Sequence, residues 1–591
     1  MHLNIFALDL DGTLAENDQV APATWKILRK AKSKGFRFIL VTGRRLEELA
    51  AIGPFETYFE AIVAENGAVI HFVASDTVIM PFGSVAADII QELGTLNIPV
   101  TRGMAIAATW KPHDQQILNV LAARGFPVTL EYNREAVMLL PPGATKGTGL
   151  LAALQELGYS YHNVLAIGDA ENDRSLFSTA EYAVAVANAD PGIKKTTDLT
   201  LALPNGAGIQ QFMDGLINNK NTLHSTRSKH LITLGKKRDQ SPFQLSTFHF
   251  IDGNLGVFGA SGSGKSWLSG LLAEALLLKD YQICIIDPEG DHRNIKKFPH
   301  TILLGGTAVP PPALDQVATL LEYSTLNIIL DLSLYTKDQQ IVYVQDLLQL
   351  FCSLRNRRGK PHWILLEEAH YFCSSNDDQI TLLLHRLMEQ GGLSLVSYRP
   401  SQLAPDLLKK LDQWLFTYTK SQEELEAIKT MLPESAIQEH DFPACLFLLG
   451  NQQAYYCSKN KPDTPLVATT LIEFSNLSRM VPHVRHLHKY LHAPLARDKQ
   501  FFFKNDGQDK KLLVAANLHD FSEMLPQLPM SVLKYHLYRG DFKNWLQHSV
   551  HDHELARLVQ KITNRQLPDE LLKSSLTETV AIRIAALESL L

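Results

Sequence analysis

The stretch Ile5-Phe6-Ala7-Leu8-Asp9-Leu10-Asp11-Gly12-Thr13 decides the fold of the first third of the chain. Four apolar residues predict a buried strand that ends in two carboxylates at i, i+2 spacing, where open α/β sheets bind their ligands. An aspartate there attacks phosphorus, while the second protonates the leaving oxygen and later activates water. Gly12 lets the chain turn away sharply. Working outward, apolar runs at residues 36–41, 61–64, 164–167 and 182–186 alternate with amphipathic stretches at 24–33, 46–52, 148–157 and 173–179. That alternation predicts an α/β sheet with parallel strands.

Further polar residues follow at strand ends. Val41-Thr42-Gly43-Arg44 supplies a hydroxyl, Ala144-Thr145-Lys146-Gly147 an ammonium, and Gly168-Asp169-Ala170-Glu171-Asn172-Asp173 a magnesium-binding carboxylate. A dianionic phosphoryl group needs such partners while charge moves through the transition state. In these four motifs, and in Glu65-Asn66-Gly67-Ala68, the chain resembles the haloacid dehalogenase superfamily, Cof-type sugar-phosphatase branch. The resemblance implies a Rossmann-like core at 1–80 and 143–219 and an α/β cap at 81–142, bounded by Pro81 and Pro141-Pro142-Gly143. It implies Asp9 as nucleophile, Asp11 as general acid/base, and Thr42 and Lys146 as phosphate ligands beside Gly12 and Gly43. Asp9 and Asp169 would hold Mg2+ with the Asp11 backbone carbonyl, Asn66 would face the substrate, and Asn172 and Asp173 would support the site.

A second α/β pattern spans 242–462. Leu255-Gly256-Val257-Phe258 runs into Gly259-Ala260-Ser261-Gly262-Ser263-Gly264-Lys265-Ser266 and then a helical stretch, which is GxxxxGKS in a strand-loop-helix context. Backbone N–H groups of such a loop wrap phosphates, Lys265 reaches the β/γ-phosphates and Ser266 ligates magnesium, so ATP is the expected bound nucleotide. Trp363-Ile364-Leu365-Leu366-Glu367-Glu368 supplies Glu367 for the magnesium water shell and Glu368 to polarise water. Ile285 to Asp291 and Gly392 to Ser401 resemble segments of HerA/VirD4-like ATPases, which implies a RecA-like P-loop domain and a homo-oligomer assembled through it. Glu367 replaces the usual Asp, and Ser397-Tyr398 replaces a Thr-Gln pair; both weigh against fast hydrolysis.

The 591 residues, 45% hydrophobic and 20% charged, exclude a disordered polyelectrolyte and a collagen-like chain. Five cysteines without a CxxC pair suggest no disulfide framework, so a reducing cytoplasm is expected. No run approaches the roughly 18 uncharged apolar residues of a membrane span. Formal charge is −6, and residues 241–460 carry 17 Lys and Arg against 24 Asp and Glu. That balance argues against nucleic acid as a partner. Residues 220–241 read as a basic linker and 463–591 as a mainly helical module, where His483, His486, His488 and His492 read as an amphipathic helix and Phe501 to Phe503 as core or docking surface. The expected function is a magnesium-dependent phosphatase of a small phosphorylated metabolite, fused to an ATP-binding, regulatory module with hydrolysis as second activity. Two alternatives stay open: a nucleic-acid processor, translocating DNA or trimming polynucleotide ends, and a nucleotide-gated assembly with a phosphatase effector.

Overall fold

The computed structural model describes residues 2–588 apart from 125–126, 134, 219–222, 224, 226, 307–308, 324, 374–377, 433–441, 451, 460–469, 475–476, 478, 482–490, 492–494, 496–499, 504–512, 551 and 566. They form two compact units. The first comprises Met1–Leu231 with Ser246–Asp252 and Leu354–Lys360, the second the remainder.

The first unit is built on an eight-stranded sheet in the order 199–200, 182–185, 164–168, 5–9, 37–41, 61–64, 69–72, 77–79. Pairing is parallel from the first strand to Ala61–Ala64 and antiparallel for the last two. Ile5–Asp9 lies centrally and every one of its residues is buried, which is why it reads as an uninterrupted apolar run rather than an alternating one. Asp9 pairs in register with Val41, and Leu8 with Ile167. That register brings Asp9, Thr42 and Asp169 to one edge of the sheet, at the carboxyl ends of three adjacent strands.

Between Val85 and Leu140 the first unit adds a separate antiparallel sheet, ordered 101–102, 107–110, 136–140, 129–133, with helices Ala87–Thr95 and Asp114–Arg124. Val85, Ile89, Leu93, Ile98, Ala107, Ile117, Val137 and Leu139 bury one face of this cap in a small core of its own. At about 1.5–3 kcal/mol for each fully buried large apolar side chain, such a core holds the cap together as a unit.

The second unit contains an eleven-stranded sheet in the order 242–246, 231–237, 470–473, 453–458, 413–416, 254–258, 393–397, 363–366, 283–287, 327–331, 301–305. The last seven strands are parallel. Two of the remaining four lie where other structure was expected. Leu231–Lys237 falls within the stretch read as a basic linker; its lysines obscured an alternation that buries Ile232 and Leu234. Thr470–Glu473 falls within the stretch read as helical. Arg355, Arg357 and Arg358 close helix Lys337–Arg358, where cations suit the dipole.

Among the described residues that follow, a short antiparallel pair, Phe501–Phe502 with Val514–Ala515, precedes helices at 518–524, 530–539, 541–548, 553–564 and 569–588. These helices pack around Phe501, Phe503, Phe521, Phe542 and Trp545, so the phenylalanine run is core. The four tail histidines from His483 to His492 lie outside the described residues. None of the five cysteines forms a disulfide. No helix among the described residues is long and apolar enough to cross a membrane.

Candidate active site and nucleotide loop

At the edge set by strand 5–9, Lys146 opens helix Lys146–Leu157, which Thr145 caps by accepting the Thr148 N–H. Its ammonium donates to Asp9 Oδ1 at 2.7 Å and to Asp173 Oδ1 at 2.6 Å, and all three side chains are buried. The other oxygen of Asp173 accepts the backbone N–H groups of Asp169 and Ala170, at 2.9 and 3.1 Å. Asp9, Asp169 and Asp173 each bring one oxygen within 4.8 Å of the others. Three carboxylates thus face a single ammonium.

The electrostatics show the imbalance. Burial, then Asp173 and Asp169, push the Asp9 carboxyl well above the ordinary carboxylate range, although Lys146 pulls the other way. Burial opposes the charged form of Lys146, but Asp173 and Asp9 outweigh it and hold the ammonium protonated far past the usual range. Surplus negative charge among oxygen donors is what a hard divalent cation neutralises, so the residues present fit magnesium. Gly12 is required here: its φ is +77°, and a Cβ would overlap Asp169 Oδ2.

The remaining expected residues divide. Thr42, Asn66 and Asn172 are buried beside the carboxylates; Asn172 Nδ2 donates to Asn66 Oδ1 at 3.4 Å, and Asn66 approaches the cap through Met138 Sδ at 2.9 Å. Gly43 leaves room for the Asn66 side chain, its absent Cβ falling 3.0 Å from Asn66 Oδ1. Asp11 is set apart. Its carboxylate is exposed and held by Arg44, with Nε to Oδ2 at 2.8 Å and Nη2 to Oδ1 at 2.6 Å, and Arg44 also pairs with Asp18. The expected general acid therefore points to a guanidinium rather than toward Lys146.

Glu65 has no role that its place in the sequence reveals. Its buried carboxylate accepts three backbone N–H groups of the cap, from Met104 and Ala105 at 2.8 Å and from Ile106 at 3.0 Å. Glu65 and Asn66 both adopt left-handed backbone, φ +50° and +52°, at a cost of about 1–2 kcal/mol per non-glycine residue. Hydrogen bonds to a charged acceptor, about 1.5–3 kcal/mol each, offset it.

In the second unit the loop 259–266 joins strand Asn254–Phe258 to helix Lys265–Leu277. Gly259 is needed because a Cβ there would overlap Thr417 Oγ1. Gly262 and Gly264 also take positive φ, and Ser263 Oγ bonds Thr417 Oγ1 at 2.5 Å. The buried Lys265 ammonium donates to the Ala260 carbonyl at 2.9 Å. Ser266 is the second residue of the helix and half-buried. Burial lowers the Lys265 pKa despite the charges of Glu368, Glu367, Asp291 and Glu289.

Glu367 follows strand Trp363–Leu366 and is buried, accepting from Ser269 Oγ at 2.7 Å and lying 2.6 Å from His292 Nε2. Burial opposes the imidazolium, yet Glu367 raises the His292 pKa above its ordinary value. Glu368 is left-handed, φ +47°, and burial with Glu289 holds its carboxyl well above the usual range. The Tyr398 ring lies between two cations, 5.8 Å from Lys265 Nζ and 5.1 Å from the Arg399 guanidinium. A cavity of about 410 Å³ beside Ala260 and Ser261 is lined by Tyr398, Arg399, Gln402 and Lys420 among others.

A capped parallel sheet with this acidic edge defines a haloacid dehalogenase-like hydrolase. The profile of that family matches residues 6–99 and 111–246. Phosphoglycolate phosphatase 2 of Saccharolobus solfataricus is 31% identical over 221 residues, 36% of this chain and 92% of the relative. The phosphoglycolate phosphatase of Methanothermobacter thermautotrophicus is 29% identical over 217 residues, 35% and 96%. The chain belongs, through its first unit, to the haloacid dehalogenase-like hydrolases. A solved haloacid dehalogenase-like hydrolase from Bacteroides thetaiotaomicron matches with 19% identity and TM-score 0.32, covering 36% of this chain and 99% of its own. The profile of the central domain of helicase HerA matches residues 232–314, which contain the loop 259–266.

Proposed function

We propose that the first unit is a magnesium-dependent phosphatase acting on a small phosphorylated metabolite, and that the second unit binds ATP. The observation that carries the first part is Lys146 clamped between Asp9 and Asp173, with Asp169 adjoining, at the end of strand Ile5–Asp9. Asp9, Asp169 and the Asp11 backbone carbonyl would hold magnesium, which supplies charge neutralisation at the phosphoryl oxygens. Lys146, Thr42 and the groups around Gly12 and Gly43 bind those oxygens. Asp9 attacks phosphorus as the bond to the leaving oxygen breaks, and Asp11 gives that oxygen its proton. Asp11 then takes a proton from water, whose oxygen displaces Asp9 from phosphorus and releases inorganic phosphate. For both transfers the Asp11 carboxyl must leave Arg44.

The ATP reading rests on a P-loop at the end of the central parallel strand Asn254–Phe258, with Lys265 and Ser266 opening the helix that follows and Glu367 and Glu368 after strand Trp363–Leu366, two places along the sheet. The HerA match favours ATP-driven movement of a polymer as a second reading for this unit, and its charge of 17 cations against 24 anions over 241–460 weighs against DNA as that polymer.

The test is phosphate release from a panel of sugar phosphates and phosphoglycolate, the latter because the relatives are named for it. Release that requires magnesium, stops with a chelator and vanishes in Asp9→Asn is expected. Equal rates from wild type and Asp9→Asn would sink the proposal. Binding of labelled ATP that Lys265→Met does not weaken would sink the second part.

A further inference from the structure

The cap sheet has two faces, and register assigns each side chain to one of them. On strand Ala136–Leu140, Val137 and Leu139 fill the cap's own core, whereas Met138 points the other way and meets Asn66 of the active site. Met138 pairs with Ala108 on one neighbour and with Glu131 on the other. Ala108, Met138 and Glu131 therefore form a row on the face that covers the site. Leu130, next to Glu131, packs into the cap core on the opposite face. A carboxylate stands where alternation alone would suit an apolar residue.

Two observations show what Glu131 faces. The charges that act on it are those of Lys146 and Asp173, the clamp at the reacting end of the site, and burial pushes its carboxyl up to about 7. Its Oε2 is buried without a hydrogen-bond partner. An acceptor left so costs about 1–3 kcal/mol, a cost that a donor brought by a ligand removes.

We propose that Glu131 is a specificity-determining residue: its carboxylate accepts a hydrogen bond from a hydroxyl on the alcohol part of the substrate, selecting hydroxyl-rich phosphate esters over esters that carry a carboxylate. This rests on the phosphatase reading of Asp9 and deepens it. Phosphoglycolate would place its own carboxylate against that of Glu131, so the relatives' named substrate is disfavoured here by like-charge repulsion. Glu131 makes and breaks no bond to phosphorus.

The experiment measures kcat/KM of the full-length protein with magnesium for glucose 6-phosphate and for phosphoglycolate, and reads the ratio between them. The ratio is insensitive to general damage in a variant. Wild type is expected to favour the sugar ester. Glu131→Gln keeps the shape and removes the charge, and Glu131→Ala removes the acceptor; each is expected to lower the ratio by about ten- to a hundred-fold, the worth of one hydrogen bond to a charged group. A ratio unmoved in both variants, or one that rises because phosphoglycolate loses more, overturns the proposal. Release from p-nitrophenyl phosphate separates the two layers. If it does not depend on Asp9, the phosphatase reading falls and the selection with it. If it depends on Asp9 while the ratio stays fixed, the selection alone falls.

Discussion

Lys146 in the first unit and Lys265 in the second are both buried and both open a helix at the carboxyl edge of a parallel sheet, yet their affinities for the proton move in opposite directions. Lys146 touches two carboxylates at 2.6 and 2.7 Å, and their attraction exceeds the desolvation cost. Lys265 touches a neutral carbonyl, and its four acidic neighbours act only at longer range. The first ammonium is matched by the protein itself and helps hold the site together. The second has no carboxylate in contact with it, and under the proposed function a polyphosphate supplies the matching charge. Under the proposed functions, the first site does chemistry on a phosphoryl group and the second receives one.

Four measurements break or sharpen that contrast, beginning with the largest effect. Asp9→Asn removes the attacking group and should lower phosphate release by at least about 10³-fold, read from steady-state rates with magnesium. Smaller losses would mean that Lys146 is clamped for structure alone. Lys146→Met leaves two buried carboxylates facing each other, so urea unfolding should show a loss of about 3–5 kcal/mol. Lys265→Met removes a charge that no contacting carboxylate matches. Its unfolding midpoint should move far less than that of Lys146→Met, while ATP affinity measured by calorimetry falls about ten- to a hundred-fold. Equal unfolding losses from the two lysine variants would erase the distinction.

The smallest effect is pH dependence in the second unit. His292 holds its proton more tightly in the folded chain than in the unfolded one, because Glu367 outweighs burial. The stability it contributes is complete below pH 6.5 and is lost as pH rises through the raised value. Wild type should therefore lose more stability than His292→Gln as pH rises from 6.5, by no more than about 1.4 kcal/mol for each pH unit crossed, the limit for one proton. A difference between wild type and His292→Gln that does not shrink as pH rises would show that the pair is uncharged.

Asp9 and Asp169 were legible in the sequence because each stands at the end of an apolar strand, and ligand sites of parallel sheets collect at those ends, whereas Lys146 opens a helix. The loop at 259–266 was legible for the same reason. Glu131 was not: its importance depends on which face of the cap sheet it occupies, and that follows from pairing with Met138 rather than from its neighbours in the chain. The grip of Arg44 on Asp11 and of His292 on Glu367 joins residues 33 and 75 positions apart, distances at which side-chain pairing leaves no local signal. Strand Leu231–Lys237 was hidden by its own charges, although Ile232 and Leu234 kept the two-residue period.

The turn at Glu65 and Asn66 binds two things at once. Glu65 holds three N–H groups of the cap, and the adjoining Asn66 meets Met138 of the cap and Asn172. Any hinge motion that lifts residues 104–106 must strip a buried carboxylate of its donors and pull on a two-residue turn already strained. Under the proposed phosphatase function, entry of an ester and exit of its alcohol are thereby geared to the same turn. In such an arrangement the pace of a catalytic cycle is set as much by an escapement in the backbone as by the carboxylates that break the bond.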